Sequence, residues 1–286
     1  MGLHKIYHPI TASPFLSSES YREYEPCESL RPYIRCFWGA TGAIAETLVV
    51  PDTCMDIIFK VDYTDNRITS RFCGISDCSV ITEAEQEEGK EISTFAIRFY
   101  AWSACLFSEE SMRDTKNGFF ELDYHFAKLR GELEPLLFEV VGMEDRIAIV
   151  QKYLLRRLRL GRWNPSVINA VSEILLKRGN VGIRDISSNI AIGNRQLQRL
   201  FKENMGISPK QFSEMIRYQC LWNDIVYQPD FHIQDAVYQY GYADQAHLLH
   251  EFKRFHSMTI PQARRYAYRN IYEIYKNVAF IQERLE

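Results

Sequence analysis

Apolar positions change period part-way along the chain. Up to about residue 125 they come in short runs rich in β-branched and aromatic side chains: Leu48-Val49-Val50, Ile57-Ile58-Phe59-Lys60-Val61 and Ser93-Thr94-Phe95-Ala96-Ile97-Arg98-Phe99. Such runs predict strands. Turn-forming residues separate them at Pro51-Asp52, Asp62-Tyr63-Thr64-Asp65-Asn66 and Glu88-Gly89-Lys90, so a β-sandwich or small barrel is expected. From about Ala127 the spacing becomes helical. Ile147, Val150, Leu154 and Leu158 fall on one stripe of segment 144–160, with Arg156, Arg157 and Arg159 on other faces. Gly161-Arg162-Trp163-Asn164-Pro165 then breaks the pattern. The chain divides on this reading into a β-rich unit (1–126), a helical connector (127–163) and an all-helical unit (164–286), an α+β chain overall.

Within the last unit a pattern repeats. After a helix expected at about 166–178, Ile183, Ile186 and Ile190 sit at helical spacing, Ala191-Ile192-Gly193 turns the chain, and Leu197, Leu200 and Phe201 line the next helix. About fifty residues on, Ile233, Ala236, Val237 and Tyr240 are followed by Gly241 and then by Leu248, Phe252 and Phe255. Leu197-x-Arg199-x-Phe201-Lys202 aligns with Leu248-x-His250-x-Phe252-Lys253 at an offset of 51. Two helix-turn-helix units are written in one segment.

The second helix of each unit carries the candidate chemistry. With Leu197 and Phe201 turned inward, Asn194, Arg195, Gln198 and Arg199 share the outward face, with Gln196 beside them. Arginine can grip guanine O6 and N7, and Asn or Gln can match adenine in a major groove; a face made only for solubility would more often be Glu and Lys. The corresponding face of the second unit holds Gln245, Ala246, Leu249 and His250, with His247 at its margin. Between the units, Ser208-Pro209 supplies an N-cap and a preset first residue for a helix to about Tyr227, with Phe212, Met215, Ile216, Cys220 and Leu221 at core spacing. Such a helix spans roughly 28 Å, against about 34 Å for one turn of B-DNA. A stiff connector of that length would hold both reading helices on one face of a duplex.

Charge adds modest support. The chain has a formal net charge of −3, yet the residues from Ser166 onward carry 15 Lys and Arg against 12 Asp and Glu, and the preceding 165 carry 19 against 25. A mildly basic module beside an acidic one fits local phosphate contact by one unit only. Met1 to Phe15 lacks the apolar core of a secretory signal and no apolar run approaches a membrane span, so a cytoplasmic protein with no membrane partner is expected. The seven cysteines include no CxxC pair, which favours buried free thiols over a zinc site or a redox switch.

At these residues the segment from about Asn164 to Arg269 resembles the DNA-binding domain of the AraC/XylS family of bacterial regulators. The pieces that carry the resemblance are Ile183-Arg-Asp-Ile186, Leu197-Gln-Arg-Leu-Phe-Lys202, Gly206-Ile-Ser-Pro209, Gly241-Tyr-x-Asp-Gln245, Phe252-Lys253 and Arg264. It implies a seven-helix, two-lobed domain that usually activates transcription beside a promoter and contacts RNA polymerase. Ile260 stands where the family usually has Pro, Ser257 where Gly is common and His250 where Arg is frequent. The N-terminal part more loosely resembles the cupin-related sensor domains that often precede this module, through Leu30-Arg-Pro-Tyr-Ile-Arg-Cys-Phe-Trp38, Val50-Pro-Asp-Thr-Cys-Met-Asp-Ile-Ile-Phe59, Gly74 and Ile97-Arg-Phe99. That resemblance implies a small-molecule effector without identifying it.

Trp38, Asp52, Asp56, Arg98 and Trp102 lie within or beside predicted strands and are the candidate effector-binding residues; the alternative is aromatics in the core and charges on the rim of a sheet. A metal-dependent cupin-type enzyme fused to a helical module would need clustered ligands, but His4, His8 and His125 are scattered. No phosphate loop or nucleophile elbow is present either. No catalytic residue, metal or cofactor is expected. A protein-protein interaction module is the remaining alternative for the helical repeat. Homodimerisation through the 144–160 stripe is weighed against that stripe packing on its own β unit.

Overall fold

The computed structural model describes residues 2–12, 21–41, 47–82 and 89–268. Glu88 of the predicted third turn, and the end of the predicted helical unit beyond 268, lie outside them. Among the described residues eight strands precede the α-helices: β1 (Tyr21–Tyr24), β2 (Ile34–Thr41), β3 (Thr47–Val49), β4 (Cys54–Asp62), β5 (Arg67–Cys73), β6 (Val80–Thr82), β7 (Ile92–Tyr100) and β8 (Phe119–Glu121). Six form an open antiparallel sheet in the order β1-β2-β7-β4-β5-β8, and β3 pairs with β6 in a two-stranded ribbon. The β4–β5 hairpin turns where Asp62 Oδ1 accepts from the Asp65 amide at 2.9 Å and Asn66 takes a left-handed φ of 51°, the short polar residue that tolerates it best. β7 lies between β2 and β4 and is buried along nearly its whole length, which explains its near-continuous apolar run. Phe95 on β7 stacks between Phe37 on β2 and Phe59 on β4.

Helix α1 (Asp123–Glu139) packs on β5 and α2 (Met143–Arg157) packs on α1. Ile147, Val150 and Leu154 of α2 are buried within the chain and Leu158 packs against the same core. The stripe considered for a homodimer is therefore covered within its own chain, where α2 packs on α1.

The remaining helices are α3 (Pro165–Leu176), α4 (Ile183–Asn189), α5 (Asn194–Met205), α6 (Pro209–Tyr227), α7 (Ile233–Gln239) and α8 (Gln245–His256), with a last helical stretch at 260–268. Local chemistry sets their ends. Asn164 Oδ1 accepts from the amides of Ser166 and Val167 to start α3. Ser208 and Gln211 form a reciprocal capping box on α6, with Pro209 in its first turn. Gly206 closes α5 at φ 73°, a left-handed cap that glycine adopts without strain.

Connector α6 is tied to both units by buried polar groups. Arg217 donates from Nε and Nη2 to Glu251 of α8 at 2.9 and 2.6 Å, and Tyr242 Oη donates to the same carboxylate at 2.8 Å. Asp224 accepts from Arg178 after α3, at 2.9 and 3.0 Å, and from Tyr240 after α7 at 2.5 Å. Ser213 Oγ donates to the Gly179 carbonyl at 2.9 Å. The sheet unit also grips α6: Gln219 accepts from the Ile10 amide at 2.8 Å and donates to the carbonyls of Ile10 and Pro51. One cluster of buried apolar side chains runs through both halves, from Leu3 to Ala267.

Candidate nucleic-acid interface

Leu197, Leu200 and Phe201 face inward on α5 and are buried, which turns Asn194, Arg195, Gln196, Gln198 and Arg199 to solvent. Arg195, Gln196 and Gln198 have no hydrogen-bond partner among the described residues, so their donors and acceptors face water. Asn194 Oδ1 accepts from Ser187 Oγ at 2.5 Å, which fixes the start of α5 against α4. Arg199 donates to Glu203 one turn on, at 3.2 Å, with 57% of its side chain exposed. A pair this open costs little to break.

On α8 the inward residues are Leu248, Phe252 and Phe255, and Gln245, Ala246, His247, Leu249 and His250 are exposed. Asp244 caps the helix by accepting from the His247 amide at 2.8 Å. Gln245 Oε1 accepts from Gln234 of α7 at 3.1 Å, the counterpart of the Ser187–Asn194 contact in the first unit. Each unit therefore has its second helix pinned to its first at the N-terminal end and presents that end's side chains outward. Ser257 ends α8 with φ 59° and accepts from Ser79 of the sheet unit at 2.7 Å. The C-terminal turn of α5 is likewise held: the Met112 amide donates to the Glu203 carbonyl at 2.9 Å, and Cys105 Sγ lies 3.4 Å from Asn204 Oδ1.

Four of the five candidate effector residues meet in the sheet unit. Arg98 donates to both oxygens of Asp56 and to Thr11 Oγ1. Trp38 Nε1 donates to Asp56 at 3.2 Å, and Thr11 donates to Asp52 at 2.6 Å. Arg98 is 5% exposed; burial opposes its charge, but Asp56 and Asp52 outweigh that and raise its pKa. Burial pushes the Asp52 carboxyl up, with Arg98 opposing it. The guanidinium is satisfied from within, so these residues form a closed ion-pair knot. Trp102 lies elsewhere, stacked on Tyr100 at 4.7 Å and edge-on to Phe212 of α6.

Sequence reasoning missed the groups that make the interface stiff: Gln219, Arg217 with Glu251, and Asp224 with Arg178. The available signal was polar residues among the core positions of α6. All seven cysteines are free, and burial raises the thiol pKa of Cys36 and Cys105 to about 12 and about 11. Among the described residues no group of three His, Cys, Asp or Glu is placed to hold a metal, and no helix is long and apolar enough to cross a membrane.

Residues 186–266 match the family model described as a helix-turn-helix domain, and residues 22–121 match one described as a domain of unknown function (DUF6597). No curated protein matches the chain. Among solved structures, a transcriptional regulator with an AraC-type DNA-binding domain from Chromobacterium violaceum is 22% identical over 36% of this chain and 92% of its own, with a TM-score of 0.32. ToxT from Vibrio cholerae is 11% identical over 81% of this chain and 98% of its own, with a TM-score of 0.38.

Proposed function

We propose that the helix-turn-helix domain matched by residues 186–266 is the AraC-type DNA-binding domain of a transcription regulator, and that α5 and α8 are its two reading helices and enter successive major grooves of one site. The observation that carries this reading is the pair of outward faces, 194–199 and 245–250, displayed by helices that one buried-polar connector, α6, holds together. Arg195, Gln198 and Arg199 read bases from the first unit with Asn194 and Gln196 flanking them, and Gln245, Ala246, His247 and His250 serve the second. The first face is the stronger, since His250 stands where Arg199 stands in the first repeat and an imidazole cannot make the bidentate contact to guanine that a guanidinium makes.

Units 1–126, 127–163 and 164–286 act in this reading as sensor, helical connector and DNA-binding module. A small-molecule effector acting on the sheet unit, at or through Trp38, Asp52, Asp56 and Arg98, modulates DNA binding. Thr11 and Asp52 of the knot adjoin Ile10 and Pro51, whose backbone Gln219 of α6 grips, so a change in the knot reaches the connector in one step. Trp102 reports on the same junction from the Phe212 side. Activation, with RNA polymerase as partner, is the direction of control that the family resemblance implies. The chain acts without catalysis.

The test is selection of a bound duplex from random DNA, followed by gel-shift titration across salt. Phosphate contacts predict affinity falling steeply as salt rises. Recovery of no preferred duplex, with binding indifferent to salt, would sink the reading and leave the protein-interaction alternative.

A further inference from the structure

Arg146, on α2, is 0% exposed, yet its guanidinium has no carboxylate partner among the described residues. Nε donates to the Val140 carbonyl at 2.7 Å, Nη1 to Ser93 Oγ at 2.9 Å and Nη2 to Tyr63 Oη at 2.6 Å. Arginine is almost never fully buried without a partner of opposite charge, because its desolvation is then uncompensated. The contacts with Val140, Ser93 and Tyr63 dock α2 against β7 and the end of α1, but neutral oxygens offset only part of that cost. Burial accordingly pulls the Arg146 pKa below its ordinary value, and Tyr63 opposes the shift only in part.

Ser93 and Tyr63 also form part of the wall of an open cleft of about 420 Å³. Each hydroxyl accepts a bond from the buried cation, and neither donates one to any acceptor among the described residues. Both O–H groups are polarised by a full positive charge behind them, the arrangement that strengthens a hydrogen bond to an anion. Among the described residues the charged side chains lining the rim are Lys90 and the exposed Glu91, and Lys90 is already held 3.0 Å from Asp65 and 3.6 Å from Asp62, which leaves the two hydroxyls as the groups that favour an anion. The hydroxyl pair therefore decides which ligand is favoured. Ile92 and Val141 supply an apolar side, and Val141 is 69% exposed.

From this geometry we propose that the cleft is a binding site for a small organic monocarboxylate, its carboxylate seated on the Tyr63 and Ser93 hydroxyls over Arg146 and its short apolar body lying along Ile92 and Val141. The site is separate from the Arg98–Asp56 knot but shares its strand: Ser93 and Arg98 both belong to β7, about 17 Å apart along an extended chain. A ligand here would act on the same unit whose residues 10 and 51 grip α6. The site goes beyond the DNA-binding reading and stands without it, since calorimetry reads the ligand and a gel shift reads the DNA.

The experiment is isothermal titration of the full chain with hexanoate, and with hexanol as a neutral control of the same length. Expected is saturable one-to-one binding of hexanoate at least tenfold tighter than hexanol. Tyr63→Phe and Ser93→Ala each take an acceptor from Arg146 and should melt somewhat lower; measured below that melting point, where circular dichroism matches the wild type, each should weaken hexanoate about tenfold or more, the loss of one charge-assisted hydrogen bond, and leave hexanol unchanged. Absence of saturable hexanoate binding, equal affinity for the alcohol, or wild-type affinity in both variants would overturn the proposal.

Discussion

Arg199 in the free chain rests on Glu203, half in water, so it can be removed with little effect on the fold. Arg199→Ala is expected to weaken specific DNA binding by roughly 1–3 kcal/mol, the worth of a bidentate contact to guanine, and to shift stability by less than about 1 kcal/mol. Fluorescence anisotropy on a selected duplex and a thermal melt check both; unchanged affinity would remove α5 from the interface. His256 offers a second test. It is 1% exposed, its Nδ1 lies 2.8 Å from the Tyr218 hydroxyl, and burial pulls its pKa from 6.5 to about 4. The folded chain keeps it neutral where the unfolded chain takes up a proton, so its contribution is whole above pH 6.5 and is lost as pH falls towards 4. Between pH 7 and 5 that amounts to about 2 kcal/mol of stability. Urea titrations at the two pH values should differ by that much, and His256→Gln should narrow the gap.

Among the elements, α6 does most to define the geometry. Glu251→Ala would leave Arg217 buried without its partner and is expected to cost about 3–5 kcal/mol, read as a lower urea midpoint. Gly206→Ala would strain the cap of α5, and its new Cβ would sit 2.7 Å from the Met112 carbonyl oxygen of the sheet unit. About 1–2 kcal/mol should be lost from the left-handed backbone alone. These helices were legible in sequence because their signals are local: the Ser208-Pro209 cap, the 3.6-residue spacing and the repeat at 51. The sheet was less so. β4 and β7 announce themselves, but β1, β6 and β8 are short and largely exposed, and strand order depends on pairings between residues far apart in the chain. The same distance hid the site's supports. Arg146 reads as one more charge on an amphipathic helix until the fold places it against Ser93 and Tyr63, and Trp102 meets the Arg98 knot only indirectly, through Tyr7.

Across the whole molecule the sheet unit and the helical unit share one core and are joined at several places, among them a bond from the Leu48 amide to the Tyr266 hydroxyl at 3.0 Å. Gln219 meets residues 10 and 51, the Cys105–Met112 segment meets the end of α5, and Ser79 meets the end of α8. Gln219→Ala would leave the Ile10 amide and two carbonyls without their partner in a buried seam, at about 1–3 kcal/mol per unpaired group. It touches no reading residue, so a changed DNA affinity in this variant would mark the seam as the route of control; thermal melts and anisotropy together separate that from simple destabilisation. The central claim is that one rigid connector sets two reading helices into neighbouring grooves. Hydroxyl-radical footprinting with guanine methylation interference on a selected duplex tests it most directly. Two major-groove tracts about 10 base pairs apart on the same face are predicted, one lost in Arg199→Ala and the other weakened in His250→Ala. A single tract, or two on opposite faces of the helix, would contradict it.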